Sequence, residues 1–228
     1  MQKTSEQWPQ QIQMTGVSGT VIDKLKVEAL TITTDKATIT LSDALIYWQP
    51  ERLLQKRLRI EKLSAEKLTV HMRANADENK DAPRSPPRLP DISSPLAIDL
   101  LQTSLSELVI ERPDKPPLTF RQLDFSGQWA GETLSIYGLN GSHRDFNVFL
   151  DGDVIFDDDA AADLNLHASK DQQPGHLKLG LNGPLDHFQW QLESSLNIPR
   201  GPEHHLSVSG HGDLSSIEIT RGNLQTLQ

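Results

Sequence analysis

Apolar residues in this chain recur at every second position. They pair as Leu25 and Val27, Leu30 and Ile32, Ile39 and Leu41, Ile46 and Trp48, then Phe146, Val148 and Leu150. The pattern continues through Leu164 and Leu166, Leu177 to Leu181, Phe188 to Leu192, Leu206 and Val208, and Ile217 and Ile219. Period two sends such side chains to one face of a strand and the intervening Lys, Asp, Thr, Ser and Gln to the other. Gly, Asn, Asp and Pro punctuate the runs at Asp35, Asn140-Gly141, Asp157 to Asp159, Asn182-Gly183-Pro184 and Pro199 to Pro202. These residues favour turns because Gly and Asn accept positive φ and Pro fixes φ. The spacing predicts a meander of roughly a dozen antiparallel strands.

A second pattern places a three-residue step inside the alternation. It occurs at Leu25-Val27-Leu30, Leu58-Ile60-Leu63, Leu96-Ile98-Leu101, Leu118-Phe120-Leu123 and Leu134-Ile136-Leu139. The step reverses side-chain parity, so a flat strand would turn half of its apolar residues outward. A bulge or bend holds them on one side and curves the strand; a strand, a short turn and another strand is the alternative. A shorter echo, Gly183 to Trp190 against Gly212 to Ile219, places apolar residues two, five and seven positions after Gly, as repeated β units would.

Helix is scarce. Pro50 to Arg57 is the best candidate, with Pro50 in the first turn and Leu53 and Leu54 expected against the sheet. Residues 1–13 read as a tail or short helix. Residues 75–95 form a Pro-rich loop or linker, with five prolines from Pro83 to Pro95. It separates a first β segment, 14–74, from a second, 96–228, expected to continue past residue 228. Met1 is followed by a polar stretch rather than a signal peptide, and the whole reads as a piece of something longer.

Composition narrows the class. Hydrophobic residues make up 36%, aromatics 5%, and mean hydropathy is -0.46, lean for a thick core. No run approaches the roughly 20 apolar residues of a spanning helix. Residues 1–72 carry 10 Lys and Arg against 8 Asp and Glu, and the remainder 12 against 23. That acidic excess argues against nucleic acid, which is held by cations on phosphates. There is no cysteine, which excludes disulfides and thiolate chemistry.

A one-sided apolar sheet needs a cover. Burying one large aliphatic side chain is worth roughly 1.5–3 kcal/mol, so a bare face across a dozen strands forfeits tens of kcal/mol on that scale. Helices are too few to help. A second sheet, closure into a barrel, or curling around an apolar guest remain. The composition favours the third: an all-β, elongated, curved antiparallel sheet (a β-taco or half-pipe) with an apolar concave face. The residues expected to line that groove are Leu25, Val27, Ile39, Leu41, Phe120, Phe125, Phe146, Val148, Leu177, Leu179, Phe188 and Trp190.

Other chemistries fit less well. His204, His205 and His211, near Glu203 and Asp213, invite a metal, but adjacent strand residues point to opposite faces; solvated histidines are the better account. Asp157-Asp158-Asp159 lacks the spacing of a calcium loop and reads as a hairpin turn. No nucleophile elbow, Walker motif or phosphate-binding fingerprint occurs, and no carboxylate pair stands out among 31 acids. No enzyme activity, catalytic residue, metal or cofactor is expected. Trp129 and Trp190 sit on apolar faces, where core packing is the default and guest contact the sharper reading.

The stretch Gly19 to Leu30, then Ala44 to Leu54 with its Trp48-Gln49-Pro50, then Leu58 to Leu63, Leu89 to Ile92 and Pro95 to Ile98, resembles the N-terminal periplasmic region of the TamB family. The resemblance covers residues 16–140; AsmA-like relatives share much of the pattern. It implies a periplasmic segment of an envelope-spanning protein held in the inner membrane by an anchor outside these residues. It further implies likeness to bridge-like lipid transfer proteins, phospholipid or another acyl-chain ligand in a hydrophobic β groove, and a TamA-like outer-membrane assembly barrel as partner. Roles in outer-membrane homeostasis and autotransporter biogenesis follow from it. The rival reading is a chaperone-like scaffold whose exposed strand edges pair with autotransporter or outer-membrane protein strands. A closed carbohydrate-binding sandwich is a third, disfavoured by the few aromatics.

Overall fold

A computed structural model describes residues 11–20, 22–34, 37–73, 93–113, 115–171, 175–197 and 202–227. These residues form one open, curved sheet of 14 strands. The first five are β1 (Gln11–Thr15), β2 (Ser18–Thr20), β3 (Lys24–Thr33), β4 (Ala37–Gln49) and β5 (Arg57–Met72). A long central group follows: β6 (Ser94–Arg112), β7 (Lys115–Gly131) and β8 (Thr133–His143). Shorter hairpins complete it: β9 (Phe146–Ile155), β10 (Ala161–Lys170), β11 (Gly175–Pro184), β12 (Phe188–Asn197), β13 (Glu203–Gly212) and β14 (Ile217–Leu227). The order is linear, β1-β3-β4 and onward to β14, with short β2 pairing β3 only.

Every neighbouring pair is antiparallel except β5 and β6, which run parallel from Arg57↔Ala97 to His71↔Glu111. This is the one departure from the expected antiparallel meander. The two segments on either side of the Pro-rich stretch therefore lie in one continuous sheet. Parallel pairing also means that the end of β5 and the start of β6 lie at opposite rims of the sheet. Most of the expected 75–95 linker lies outside the described residues, although Ser94 is already strand. Of the expected 1–13 tail, residues 1–10 lie outside them and Gln11 begins β1.

The sole helical segment among the described residues is a 3-10 turn, Pro50–Gln55, with Pro in its first turn and Lys56 closing it at φ 55°. Leu54 is 92% exposed and Leu53 is 42% exposed, so neither packs on the sheet as expected. Six residues give two 3-10 turns, too few to present an apolar stripe.

The three-residue steps align across the sheet. In β3 to β7 the apolar pairs Val27–Leu30, Leu41–Ala44, Ala65–Leu68, Leu105–Leu108 and Phe120–Leu123 are opposite one another. Between them the ladders skip Glu28, Asp43, Glu66, Ser106 and Gln122. Asp43 and Gln122 adopt φ of 49° and 51°. The chain thus resets its parity along one seam, and register on both sides stays constant. Residues from both sides of the seam pack into one cluster: Val27, Ala44, Ala65 and Leu105 with Leu30, Leu41, Leu68 and Leu123. Further out the same result is reached by register shifts, as between Ile136 and Leu139. One of the five expected steps differs: Leu101 is 41% exposed, and the apolar row instead takes Ile98 and Leu100.

Turns fall partly as expected. Asp157 accepts the Asp159 amide at 3.0 Å in the β9–β10 turn. Asn182-Gly183-Pro184 closes β11, and Gly183 has φ 112°. The two halves of the sequence echo become equivalent hairpins, β11–β12 and β13–β14, at the same rim of the sheet. Asn140-Gly141, however, is strand, and the β8–β9 turn comes later at Arg144-Asp145. Gly141 is there for space: a Cβ would stand 3.2 Å from Leu123 Cδ1. Asp35 and Pro199 lie outside the described residues.

Candidate functional site

Residues in register across neighbouring strands share a face, and tracing the register carries one apolar face across the sheet. One row runs Leu25–Ile46–Leu63–Thr103–Phe125–Leu139–Leu150–Leu166–Leu179–Leu192–Val208. The row beside it contains Val148, Ala168 and Leu177. All twelve residues singled out in the sequence lie on this face: Leu25 and Val27 on β3, Ile39 and Leu41 on β4, and Phe120 and Phe125 on β7. They continue with Phe146 and Val148 on β9, Leu177 and Leu179 on β11, and Phe188 and Trp190 on β12. Trp129 joins them opposite Ile98 and Leu134.

The apolar face is the more shielded of the two along β10. Along β10, Ala162, Leu164, Leu166 and Ala168 are buried or half-buried, while Asp163, Asn165, His167 and Ser169 are exposed. Strands pack against their sheet neighbours, and no second layer lies over the face among the described residues. Shielding instead comes from lateral crowding. A first cluster buries Val27, Ala44, Ala65 and Leu105; a second buries Ala162, Leu185 and Phe188 beside Trp190 and Leu181. No large side chain there is fully buried. Toward the far edge the face is bare: Ile217, Ile219 and Leu224 are 66–68% exposed.

The opposite face is polar. One row reads Arg59–Asp99–Gln128–Ser135–Asp153–Asp163–Asn182–Gln189–His211–Glu218. Asp99 is buried; Arg57 Nη1 stands 3.2 Å from its carboxylate, and Gln128 Nε2 donates to it at 2.7 Å. A hollow of about 820 Å³ follows the seam on this side, lined by Asp43, Glu66, Ser104, Ser106, Asp124 and Asn140 among others. The bounded hollows thus lie among polar side chains, and no second layer closes the apolar face among the described residues.

The histidines singled out in the sequence each face a different partner. His204 faces Thr226 at 3.1 Å, His205 faces Glu203 at 3.3 Å and His211 faces Glu218 at 3.0 Å. No group of three or more ligating side chains suited to a metal ion occurs among the described residues. Ser195 Oγ lies 2.8 Å from His176 Nδ1, a contact between mid-sheet strands whose backbone amides are committed to the ladder. They leave no free pair of N–H groups for an oxyanion. Asp213 is held at a pKa of about 2, because Ser215 donates to it through side chain and backbone and the Ser216 amide adds a third bond.

The sequence profile described as "TamB, N-terminal domain" matches residues 1–148. The chain belongs to the TamB family. No curated protein and no solved structure matches it. TamB membership gives it a TamB-like role as a transport or assembly component associated with the cell envelope and its outer-membrane assembly module. The TamB match ends within β9, yet the apolar face runs unbroken from β9 to β14. The sequence had signalled that face by period two; it gave no sign that Asp99 would be buried, because that depends on Arg57 and Gln128 arriving from other strands.

Proposed function

We propose that this TamB-family chain carries acyl chains of phospholipid along its apolar face in the periplasm, between inner and outer membrane. The observation that carries the reading is the single apolar face, continuous from strand to strand and covered by no second layer among the described residues, which we read as a trough. Each methylene withdrawn from water into it is worth about 0.8 kcal/mol. Rows of Leu, Val and Phe repeat from strand to strand, so neighbouring positions are nearly equivalent and the barrier between them is low. Under this reading the full-length protein is anchored in the inner membrane and docks a TamA-like barrel. The twelve residues named from the sequence are its lining.

The test is an inward charge. Val148→Asp and, separately, Leu166→Asp should each reduce phospholipid photocrosslinking several-fold, with the far-UV circular dichroism of a folded β-sheet retained. Crosslinking that stays at the wild-type level in both folded variants would overturn the proposal.

A second reading rests on the edges. Among the described residues β14 pairs on one side, with β13, and its apolar residues are the most exposed in the sheet. Such an edge can add a strand from a nascent outer-membrane or autotransporter protein. Proline at Asn223 on β14 should then abolish capture of an unfolded β-barrel substrate and leave lipid crosslinking intact. Loss of lipid crosslinking alone would favour the trough.

A further inference from the structure

The apolar trough is chemically lopsided along the strand direction. Across β8 to β14, no carboxylate stands in the rows that contain Val148 and Leu150. Asp151, Asp153, Asp163, Glu193, Glu203 and Glu218 all fall in register with the polar face. Lys170 is the sole Lys or Arg of these strands on the apolar side. It pairs with Phe146, which in turn pairs with His143, so the three stand side by side at one rim.

The surroundings leave the Lys170 ammonium available. Lys170 is half-buried and has no ion-pair partner within 4.0 Å among the described residues. Asp171 beside it bonds Asn147 on the polar side. His143 is fixed by Nδ1 at 2.6 Å from the Thr119 carbonyl, with its ring 5.4 Å from that of Phe120. Phe146 is 46% exposed, offering a ring between the two. The opposite rim of the same face is apolar: Trp129, Val154, Ala162, Leu185 and Phe188.

We infer that Lys170 forms a headgroup rim beside Phe146, and that the trough takes a phosphodiester lipid with its phosphate at this rim and its acyl chains running inward along β9 and β10. The inference rests on the trough reading and adds to it the ligand's charge and direction. A phosphate accepts hydrogen bonds from the Lys170 ammonium group, and these are strengthened by charge; the His143 imidazole donates instead to the Thr119 carbonyl and holds the rim's edge. The distance is sufficient. From Lys170 to Ala162 the strand rises about 3.3 Å per residue, or about 26 Å, beyond the ~15 Å that one leaflet's chains occupy.

The experiment uses the intact chain and two probes of equal chain length in neutral detergent micelles, phosphatidylglycerol and diacylglycerol. Wild type should bind phosphatidylglycerol about threefold or more tighter than diacylglycerol. Lys170→Glu should remove that preference, leave diacylglycerol affinity unchanged and retain the wild-type Tm; Lys170→Gln should fall between. Val148→Asp should weaken both lipids together. An undiminished preference in Lys170→Glu overturns the headgroup rim and leaves the trough standing. Failure of wild type to bind either lipid overturns the trough itself, and the rim with it.

Discussion

Asp43 and Gln122 stand in one seam of the sheet, on strands β4 and β7, with φ of 49° and 51° respectively. Two strands lie between them, and each passes through the seam with the same three-residue apolar step. The left-handed backbone at these two positions lets the chain advance three residues and still return an apolar side chain to the trough. Without it, Leu41 and Phe120 would point to the polar side.

A non-glycine residue in that region is strained, by roughly 1 kcal/mol for a side chain like Gln. Gln122→Gly is therefore expected to raise stability by about 0.5–1 kcal/mol, and Gln122→Val to lower it by about 1–2 kcal/mol, since branching at Cβ is worst tolerated there. Urea unfolding followed by circular dichroism decides the sign. Equal stability of the two variants would remove the seam's strain from the account.

Gly152 gives a sharper steric case. It has φ 131°, and a Cβ there would lie 1.9 Å from the Asp163 carbonyl oxygen, a backbone atom held in the β9–β10 ladder. Gly152→Ala should cost about 2–4 kcal/mol. Gly180→Ala is the control: its nearest neighbour is Asn165 Oδ1 at 3.9 Å, and its loss should stay below about 1 kcal/mol. Comparable Tm values for the two would contradict the geometry.

The buried carboxylate of Asp99 should matter more than its exposed partner. Asp99→Ala strands Arg57 and Gln128 together and is expected to destabilise by about 2–3 kcal/mol. Arg57, whose side chain is 41% exposed, is replaceable by water; Arg57→Gln should cost no more than about 1 kcal/mol. A larger effect at Arg57 than at Asp99, read from chemical denaturation, would reverse this ordering.

Asp213 supplies a pH signature. Its folded pKa of about 2 lies below its usual 3.8 because Ser215 and Ser216 donate to the ionised form. A depressed folded value means that its stabilisation is fully present above pH 3.8 and fades as pH falls toward 2. Asp213→Ala should accordingly lower Tm at pH 7 and make little difference at pH 2. Parallel Tm curves for wild type and variant from pH 7 down to pH 2 would rule out this contribution.

How far the residues speak for themselves depends on the range of the interaction. Period-two alternation is local, because a strand's two faces are set by its own backbone; the β class and the membership of the apolar face could be read from it. Four of the five three-residue steps were legible for the same reason. Leu101 was misread because its step was resolved one residue earlier, at Leu100, by register with β7. Asn140-Gly141 was misread as a turn because glycine serves close packing as readily as reversal, and only Leu123 on β7 distinguishes the two. Leu53 and Leu54 failed because too short a helix cannot aim them.

The sequence by itself determined that this chain forms strands with one greasy side, for that follows from alternating side chains on an extended backbone. The tertiary structure decided what lies beside what: the parallel join of β5 and β6, the alignment of five parity steps into one seam, the burial of Asp99, and the meeting of His143, Phe146 and Lys170 at a rim. Each of these depends on register between strands distant in sequence, and register is fixed by the whole sheet rather than by any one segment.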